Sequence, residues 1–300
     1  MQPIRTLDDL VTHVRSLERR FRVAVACGQD PNTVGAGARA VELGFVEALM
    51  LGDATRIGRA AAEEGVTPGS LTVIDIPDER AATREAVRMV RAGDAEVLMK
   101  GLVGTETFLK AVMDRQDGLM LPGAVMSYVC AIELPRYPKL LFVTDTAVLP
   151  SPDFVQKQAM LRYALEMARR FGITVPKVAL VSAVEKCSEH FPSHAEYAAL
   201  CAMARRGAFG DCVVDGPLDV FLACDASSLE IKGVSTPVAG EADILLFPSL
   251  EACNAFYKGL MLFAGGELGG LIQGTSRPVV VMSRSESARS KLYCIALACL

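Results

Sequence analysis

The chain has 300 residues, 51% of them hydrophobic, with 31 Lys and Arg against 35 Asp and Glu for a net charge of −4. That length can bury a large core and suits one large domain or two of ~100–200 residues each. No apolar run approaches the ~20 residues that span a bilayer, the opening MQPIRTLDDL lacks a secretory apolar stretch, and no basic tract marks a nucleic-acid footprint, so a soluble, cytoplasmic protein is expected, with neither a membrane nor a nucleic acid as partner.

Short β-rich runs alternate with helical stretches from end to end, the pattern of parallel α/β units. Thr6, with Asp9 three places on, opens a first helix as a variant of the capping box. Residues 22–26 then read as a strand, 32–43 as a helix stopped by Gly44, 48–51 as a strand, and 54–64 as a helix closed by Gly65. Strand 71–75, helix 78–92 closed by Gly93, and strand 96–99 follow. Runs 125–134 and 140–144 are two strands with no helix between them, separated by Pro135-Arg136-Tyr137-Pro138; an antiparallel pair or a crossing between domains explains them. Alternation resumes with helix 152–170, strand 178–182, helix 194–206, strand 212–215, strand 244–247 and a helix ending at Phe263.

The buried-type run Pro278-Val279-Val280-Val281-Met282-Ser283-Arg284 ends in a hydroxyl and a guanidinium, and Ser285-Glu286-Ser287 then opens the last helix. A strand-to-helix corner aims a helix N-terminus at an anion, and Arg284 adds a planar fork that matches phosphate oxygens. Lys100, Thr144, Asp145 and Asp215 also fall just beyond strand ends, where open parallel sheets bind their ligands. For any one of them, ordinary loop polarity is an equal explanation. The segment Gly101-Leu102-Val103-Gly104-Thr105-Glu106-Thr107 lies between a strand and a helix beginning at Phe108. Its N–H groups and the Thr105 and Thr107 hydroxyls can cradle a phosphate, although it is neither a dinucleotide fingerprint nor a P-loop.

Nine cysteines without a C-x-x-C pair argue for reduced, mostly buried thiols rather than disulfides or a zinc site. Of the three histidines, His190 and His194 are separated by Pro192, which disfavours one helical face presenting both to a metal, so no metal is assigned. No G-x-S-x-G elbow accompanies a serine, and no histidine offers an obvious base for a nucleophile, so covalent catalysis is not indicated.

Across nearly the whole chain the sequence resembles the phosphate acetyltransferase and phosphate butyryltransferase family, nearer the butyryltransferase branch. The resemblance is carried by Leu98-Met99-Lys100-Gly101-Leu102-Val103 with Thr105 and Thr107-Phe108-Leu109-Lys110-Ala111-Val112, and by Lys139-Leu140-Leu141-Phe142-Val143-Thr144-Asp145. Val213-Val214-Asp215-Gly216-Pro217-Leu218, Pro237-Val238-Ala239-Gly240, Ala242-Asp243-Ile244-Leu245-Leu246, Asn254 with Tyr257-Lys258, and the Ser283-Arg284 corner extend it.

The resemblance implies reversible transfer of a short acyl group between coenzyme A and inorganic phosphate, with coenzyme A as a substrate and no bound cofactor. It implies a homodimer and a two-domain α/β/α fold like that of isocitrate and isopropylmalate dehydrogenases, mostly parallel in its sheets, with a cleft between the domains. Residues 1–130 with 271–300 would form the first domain and 131–270 the second. Ser283 and Arg284 would be catalytic, the latter holding the departing phosphate bidentately. Lys100, Gly101, Thr105, Thr107, Asp145, Asp215, Asn254, Tyr257 and Lys258 would bind substrate.

The base departs from the family pattern. The acetyltransferase branch has aspartate where this chain has Ser290, and the butyryltransferase branch usually has aspartate where this chain has Glu286, so Glu286 is either the base or a cap on the last helix. Ser249, Cys253 and Tyr128 also stand where the family often has Asp, Gly and His, and Glu106 adds a negative charge to the presumed phosphate loop. Three classes follow: an active acyltransferase, which is the main reading; a catalytically reduced relative that senses coenzyme A or acyl phosphate; and a metal-dependent dehydrogenase of the same fold, for which the aspartate cluster and substrate arginines are missing near Arg284.

Overall fold

The computed structural model of the chain describes residues 3–283 and 285–300, so Arg284 lies outside the described residues. They form two compact units, one of Leu7–Met126 with Glu267–Leu300 and the other of Ser127–Gly266 with the N-terminal residues up to Thr6. The first unit alternates strictly: α1 (Leu7–Ser16), β1 (Phe21–Ala26), α2 (Pro31–Glu42), β2 (Val46–Gly52), α3 (Ala54–Glu63), β3 (Thr72–Asp75), α4 (Glu79–Ala92), β4 (Val97–Lys100) and α5 (Thr105–Val112). The second contains β5 (Ser127–Glu133), β6 (Leu141–Thr144), α6 (Phe154–Arg170), β7 (Lys177–Val181), α7 (Ser193–Arg205), β8 (Val213–Leu218), α8 (Val220–Cys224), α9 (Ala226–Lys232), β9 (Ile244–Leu246) and α10 (Leu250–Ala264). The chain then returns to the first unit with β10 (Glu267–Gln273), β11 (Val279–Val280) and α11 (Ala288–Ala298).

Local chemistry sets these boundaries. Asp30, Asp53, Asp78 and Asp153 each accept an N–H from the first turn of α2, α3, α4 and α6, and Gln156 completes a capping box with Asp153. Gly93 and Gly265 end α4 and α10 in the left-handed conformation that glycine adopts without a Cβ penalty. The strands are buried on both faces, as in Val97–Lys100 and Leu141–Thr144, which explains why they read as continuous apolar runs rather than as alternating ones.

In the first unit the strand order is β3-β2-β1-β4-β11-β10, parallel except for β10, which runs antiparallel to β11. The chain winds outward from β1 to β3 and then crosses to the other side of β1 with β4. That reversal opens a crevice beyond the carboxyl ends of β1 and β4. In the second unit the order is β5-β6-β9-β7-β8, with β6, β9, β7 and β8 parallel. The helix-free pair of strands around Pro135 is antiparallel, with Cys130 opposite Val143.

Three elements differ from expectation. Helix α5 begins at Thr105, three residues earlier than Phe108, so both candidate threonines are helical. The last strand narrows to Val279–Val280, and α11 begins at Ala288 after its N-cap Ser287. Strand β10 was not expected, because Gly269-Gly270 weakens a strand reading. The glycines are there for close packing: a Cβ on Gly269 would sit 3.2 Å from the Tyr293 carbonyl oxygen, and the Gly270 N–H donates to Cys294 Sγ at 3.1 Å. Among the described residues, no helix is long and apolar enough to cross a membrane.

Candidate active site

The loop after β4 is built against the loop after β1. Gly101 N–H donates to Ala26 O at 2.9 Å and Leu102 N–H to Cys27 O at 2.8 Å. A Cβ on Gly101 would lie 2.3 Å from Cys27 O, so this crossing admits glycine alone. Lys100, 4% exposed, folds its ammonium under the same loop and donates to Gly101 O at 3.1 Å and Val103 O at 3.0 Å. It thus fixes the loop's curvature and places a positive charge beneath it. Gly104 caps α5 without a side-chain hydrogen bond, so no side chain takes up the first-turn N–H groups there, and Thr105 is exposed while Thr107 is half-buried. Glu106 turns outward to Lys110 at 2.7 Å, and that ammonium holds its carboxyl below the usual range.

The parallel pairing of Val280 with Met99 carries the segment leading to Ser283 to the same sheet end as Lys100. Ser283 is half-buried; its Oγ accepts from Ser285 N at 3.3 Å and its carbonyl from Glu286 N at 3.3 Å. Arg284, next in the chain, lies outside the described residues. Glu286 does not cap the final helix, which corrects one of the two roles weighed for it. The cap is Ser287, whose Oγ accepts from Ser290 N at 2.9 Å, and the first turn of α11 contains no acidic residue.

A carboxylate does reach that helix end, from a residue that no local pattern marks. Glu267, at the start of β10, accepts from Ser287 Oγ at 2.7 Å and from Ser290 Oγ at 2.5 Å through one carboxylate oxygen. Ser290 is buried and also accepts from Leu268 N at 3.0 Å. The position that holds aspartate in the acetyltransferase branch is therefore a structural hydroxyl here, with a glutamate bound to it. No local pattern could have shown this, since the partners are more than twenty residues apart.

In the second unit, Asp145 lies just past β6 and is 1% exposed. Its carboxylate accepts from Ser127 Oγ at 2.9 Å, Tyr128 N at 3.1 Å, Ala147 N at 2.8 Å and Val148 N at 2.9 Å. Burial pushes its pKa up against these four donors, which pull it down. Asn254 of α10 donates to Thr146 O at 2.8 Å, so it is tied to the same turn. Tyr257 is buried three residues further along α10 and Lys258 is exposed beside it. Asp215, on edge strand β8, is apart from this group and accepts from Thr236 Oγ1 at 2.6 Å. In one unit Lys100 and Ser283 thus lie at the same sheet end, with Thr105 and Thr107 in the first turn of the helix that follows Lys100; in the other Asp145 and Asn254 share a turn, and Asp215 stands alone.

A cavity of about 610 Å³ in the second unit lies beyond β7 and β9, lined by Ser182, Lys157, Glu196 and Phe247 among others. Lys157 is buried and pairs with Glu196 at 2.5 Å. His194, at the start of α7, lies 2.7 Å from Ser182 Oγ through Nε2, while its Nδ1 accepts from Ser188 N at 3.0 Å. Because Nδ1 is the acceptor, the proton sits on Nε2 and is donated to Ser182, so this pair is not a serine–base dyad. His190 lies outside α7, so the two histidines do not share a helical face.

Burial pushes the His194 imidazole below its ordinary value of 6.5. The unfolded chain therefore takes up the proton more readily than the folded one, and stability that is complete above the ordinary pKa is lost as pH falls through and below it. The wild-type melting temperature is expected to drop between pH 7 and pH 5, and His194→Asn, which keeps an acceptor for Ser188 N–H, should drop less over the same interval. Equal drops would remove His194 from the acid response.

Residues 78–299 match the family described as Phosphate acetyl/butaryl transferase. A phosphate butyryltransferase of Clostridium beijerinckii is 38% identical over 296 residues, 99% of this chain and 97% of that protein. A branched-chain phosphotransacylase from Enterococcus faecalis superposes with a TM-score of 0.80 at 30% identity, covering 93% of this chain and 97% of that one. A 4-hydroxythreonine-4-phosphate dehydrogenase from Klebsiella pneumoniae shares the fold at a TM-score of 0.54 and 13% identity, over 94% of this chain and 98% of that one. The chain belongs to the phosphate acetyl/butaryl transferase family. Its α/β architecture with mostly parallel strands is the one seen in solved phosphotransacylases.

Proposed function

We propose that this protein is a phosphate acyltransferase that moves a short acyl group, acetyl to butyryl, reversibly between coenzyme A and inorganic phosphate. The observation that carries the reading is a family match over residues 78–299, a span that includes both the 101–107 loop and the Ser283 corner. The register of β11 on β4 supports it by bringing those two segments to one sheet end.

Acyl phosphate would sit with its phosphoryl oxygens toward the N–H groups opening α5, the Thr105 and Thr107 hydroxyls and the Arg284 guanidinium. Lys100 acts from beneath the loop by shaping it and by its field, since its ammonium is bonded to loop carbonyls. The thiolate of coenzyme A attacks the acyl carbon, the C–S bond forms, and the C–O bond to phosphate breaks as the carbonyl is restored. Ser283 hydrogen-bonds the thiol or the carbonyl oxygen. The thiol proton passes to a carboxylate, for which Glu286 beside the corner is the candidate base, and leaves with phosphate. No acyl-enzyme forms. On this reading Asp145 acts on substrate only through the turn it holds, Asn254, Tyr257 and Lys258 present the face of α10, and Asp215 takes part through Thr236.

The same reading carries a cytoplasmic homodimer with two domains of the isocitrate and isopropylmalate dehydrogenase type, residues 1–130 with 271–300 and residues 131–270. The likeness to a dehydrogenase fold and the division of the chain into two compact units support the two-domain part of that reading.

The test is to incubate the purified protein with acetyl-, propionyl- or butyryl-CoA and phosphate and to follow release of the coenzyme A thiol. Phosphate-dependent release at enzyme-like rates, ~1–1000 per second, is expected. No release from any of the three, with coenzyme A still bound, would replace the reading with that of a sensor.

A further inference from the structure

We propose that Lys291 donates to the oxygens of phosphate and acyl phosphate from the side of α11, as a further cation of the phosphoryl site; the proposal rests on the acyltransferase reading above. No local motif marks this lysine, yet it is only 3% exposed. A buried ammonium carries three N–H donors that need acceptors. Lys157, buried in the second unit, gives two of its three to Pro152 O at 2.7 Å and Glu196 at 2.5 Å. Lys291 gives one, to Asp30 Oδ1 at 3.3 Å, a long contact for such a pair, and among the described residues its ammonium has no other partner. The same Oδ1 also accepts from Thr33 N at 3.0 Å as the cap of α2. A desolvated charge with two unspent donors suits an anionic ligand.

The ammonium lies where the crevice loops of the first unit meet. Asp30 ends the loop that follows β1, and the loop after β4 crosses it through Gly101 N–H on Ala26 O and Leu102 N–H on Cys27 O. Lys291 closes the first turn of α11, its N–H donating to Ser287 O at 3.1 Å. Helical side chains lean toward the N-terminus, so its stem runs back toward the helix start that the Ser283 corner leads into. All three segments belong to one compact unit. Lys100 acts there from beneath the loop, bonded to Gly101 O and Val103 O, whereas Lys291 has donors to give directly to a phosphoryl oxygen. Asp30 holds the ammonium while no anion is bound, and the charge that grows on phosphate as the acyl C–O bond breaks draws it across. Lys291 supplies hydrogen bonds and charge and moves no proton.

The test compares the wild type with Asp30→Asn and with Asp30→Asn/Lys291→Gln, both of which keep an acceptor for the Thr33 N–H. With butyryl-CoA and phosphate as substrates, Asp30→Asn is expected to hold the KM for phosphate within about threefold of wild type, because the lysine remains. The double variant should raise it about tenfold or more, the loss of a charge-assisted hydrogen bond, while the KM for butyryl-CoA stays within about twofold. A pair that only joined α11 to α2 would be broken equally in both variants. The same KM for phosphate in the two, or an equal rise for butyryl-CoA, would therefore overturn the proposal. Should the double variant fail to fold, Asp30→Asn/Lys291→Met, which keeps an apolar stem in the buried site, is read in the same way. The melting temperature in rising inorganic phosphate, against sodium chloride at matched ionic strength, examines the site apart from turnover. A phosphate-specific increase that Asp30→Asn keeps and the double variant loses would support the site even if no acyl transfer is seen. No such increase in the wild type, or one that the double variant keeps, would overturn it even if acyl transfer is fast.

Discussion

Arg284→Ala is expected to lower kcat for acyl transfer about 10²–10³-fold while leaving the melting temperature within about 2 °C of wild type. The charge that grows as the acyl–phosphate bond breaks is on the departing phosphoryl oxygens, and removing one donor aimed at such charge costs roughly 2.7–4 kcal/mol of transition-state stabilisation. The effect should fall on kcat more than on the KM for acyl phosphate, because the interaction strengthens only as the bond breaks. Arg284→Lys should recover a small part of the loss, since an ammonium supplies charge without the two-pronged geometry. Steady-state kinetics beside thermal melting decide the matter: a folded Ala variant with near-normal kcat would remove Arg284 from the reaction.

Asp145→Ala should have its large effect on stability. The wild-type carboxylate satisfies three backbone N–H groups and one hydroxyl in a site that is 1% exposed. Each buried donor left without an acceptor costs about 1–3 kcal/mol, so the total is on the order of 3–5 kcal/mol after some relaxation. In a chain of this size that corresponds to a fall in melting temperature of roughly 10 °C. A variant that melts like wild type but shows a raised KM would instead place the Asp145 carboxylate on substrate, as the family resemblance implied.

The alternation of strands and helices was legible because the chain marks its own boundaries. Aspartates stand at Asp30, Asp53, Asp78 and Asp153 one residue before their helices, Gly93 follows α4, and the strands between are apolar on both faces. What escaped had a physical reason in each case. Strand β10 carries two glycines whose purpose is the approach of α11, which only packing shows. Helix α8 is five apolar residues, too short for a helical period to be seen, and α9 is seven.

The site was legible in part. The 101–107 loop and the Ser283 corner could be read because each is a local strand-to-helix junction. The Glu267–Ser290 contact and the Ser182–His194 pair could not, since each joins different elements through side chains alone. Asp145 was visible as a polar residue at a strand end, but the sequence cannot say that its lone pairs are already spoken for. Thr144, beside it, has the one buried side-chain oxygen lacking a hydrogen-bond partner among the described residues, a detail beyond any reading of spacing.

The burial of the cysteines bears on chemical selectivity. All nine are free; six are buried, two are half-buried, and Cys187 is exposed. Burial pushes the thiols of Cys27, Cys201 and Cys224 up to about 11 and that of Cys299 to about 12. At neutral pH these sulfurs stay protonated and shielded, whereas an acyl phosphate is open to attack by any thiolate within reach. A catalyst that brings an activated acyl group to a thiol thereby keeps these four sulfurs from competing with the thiol it serves.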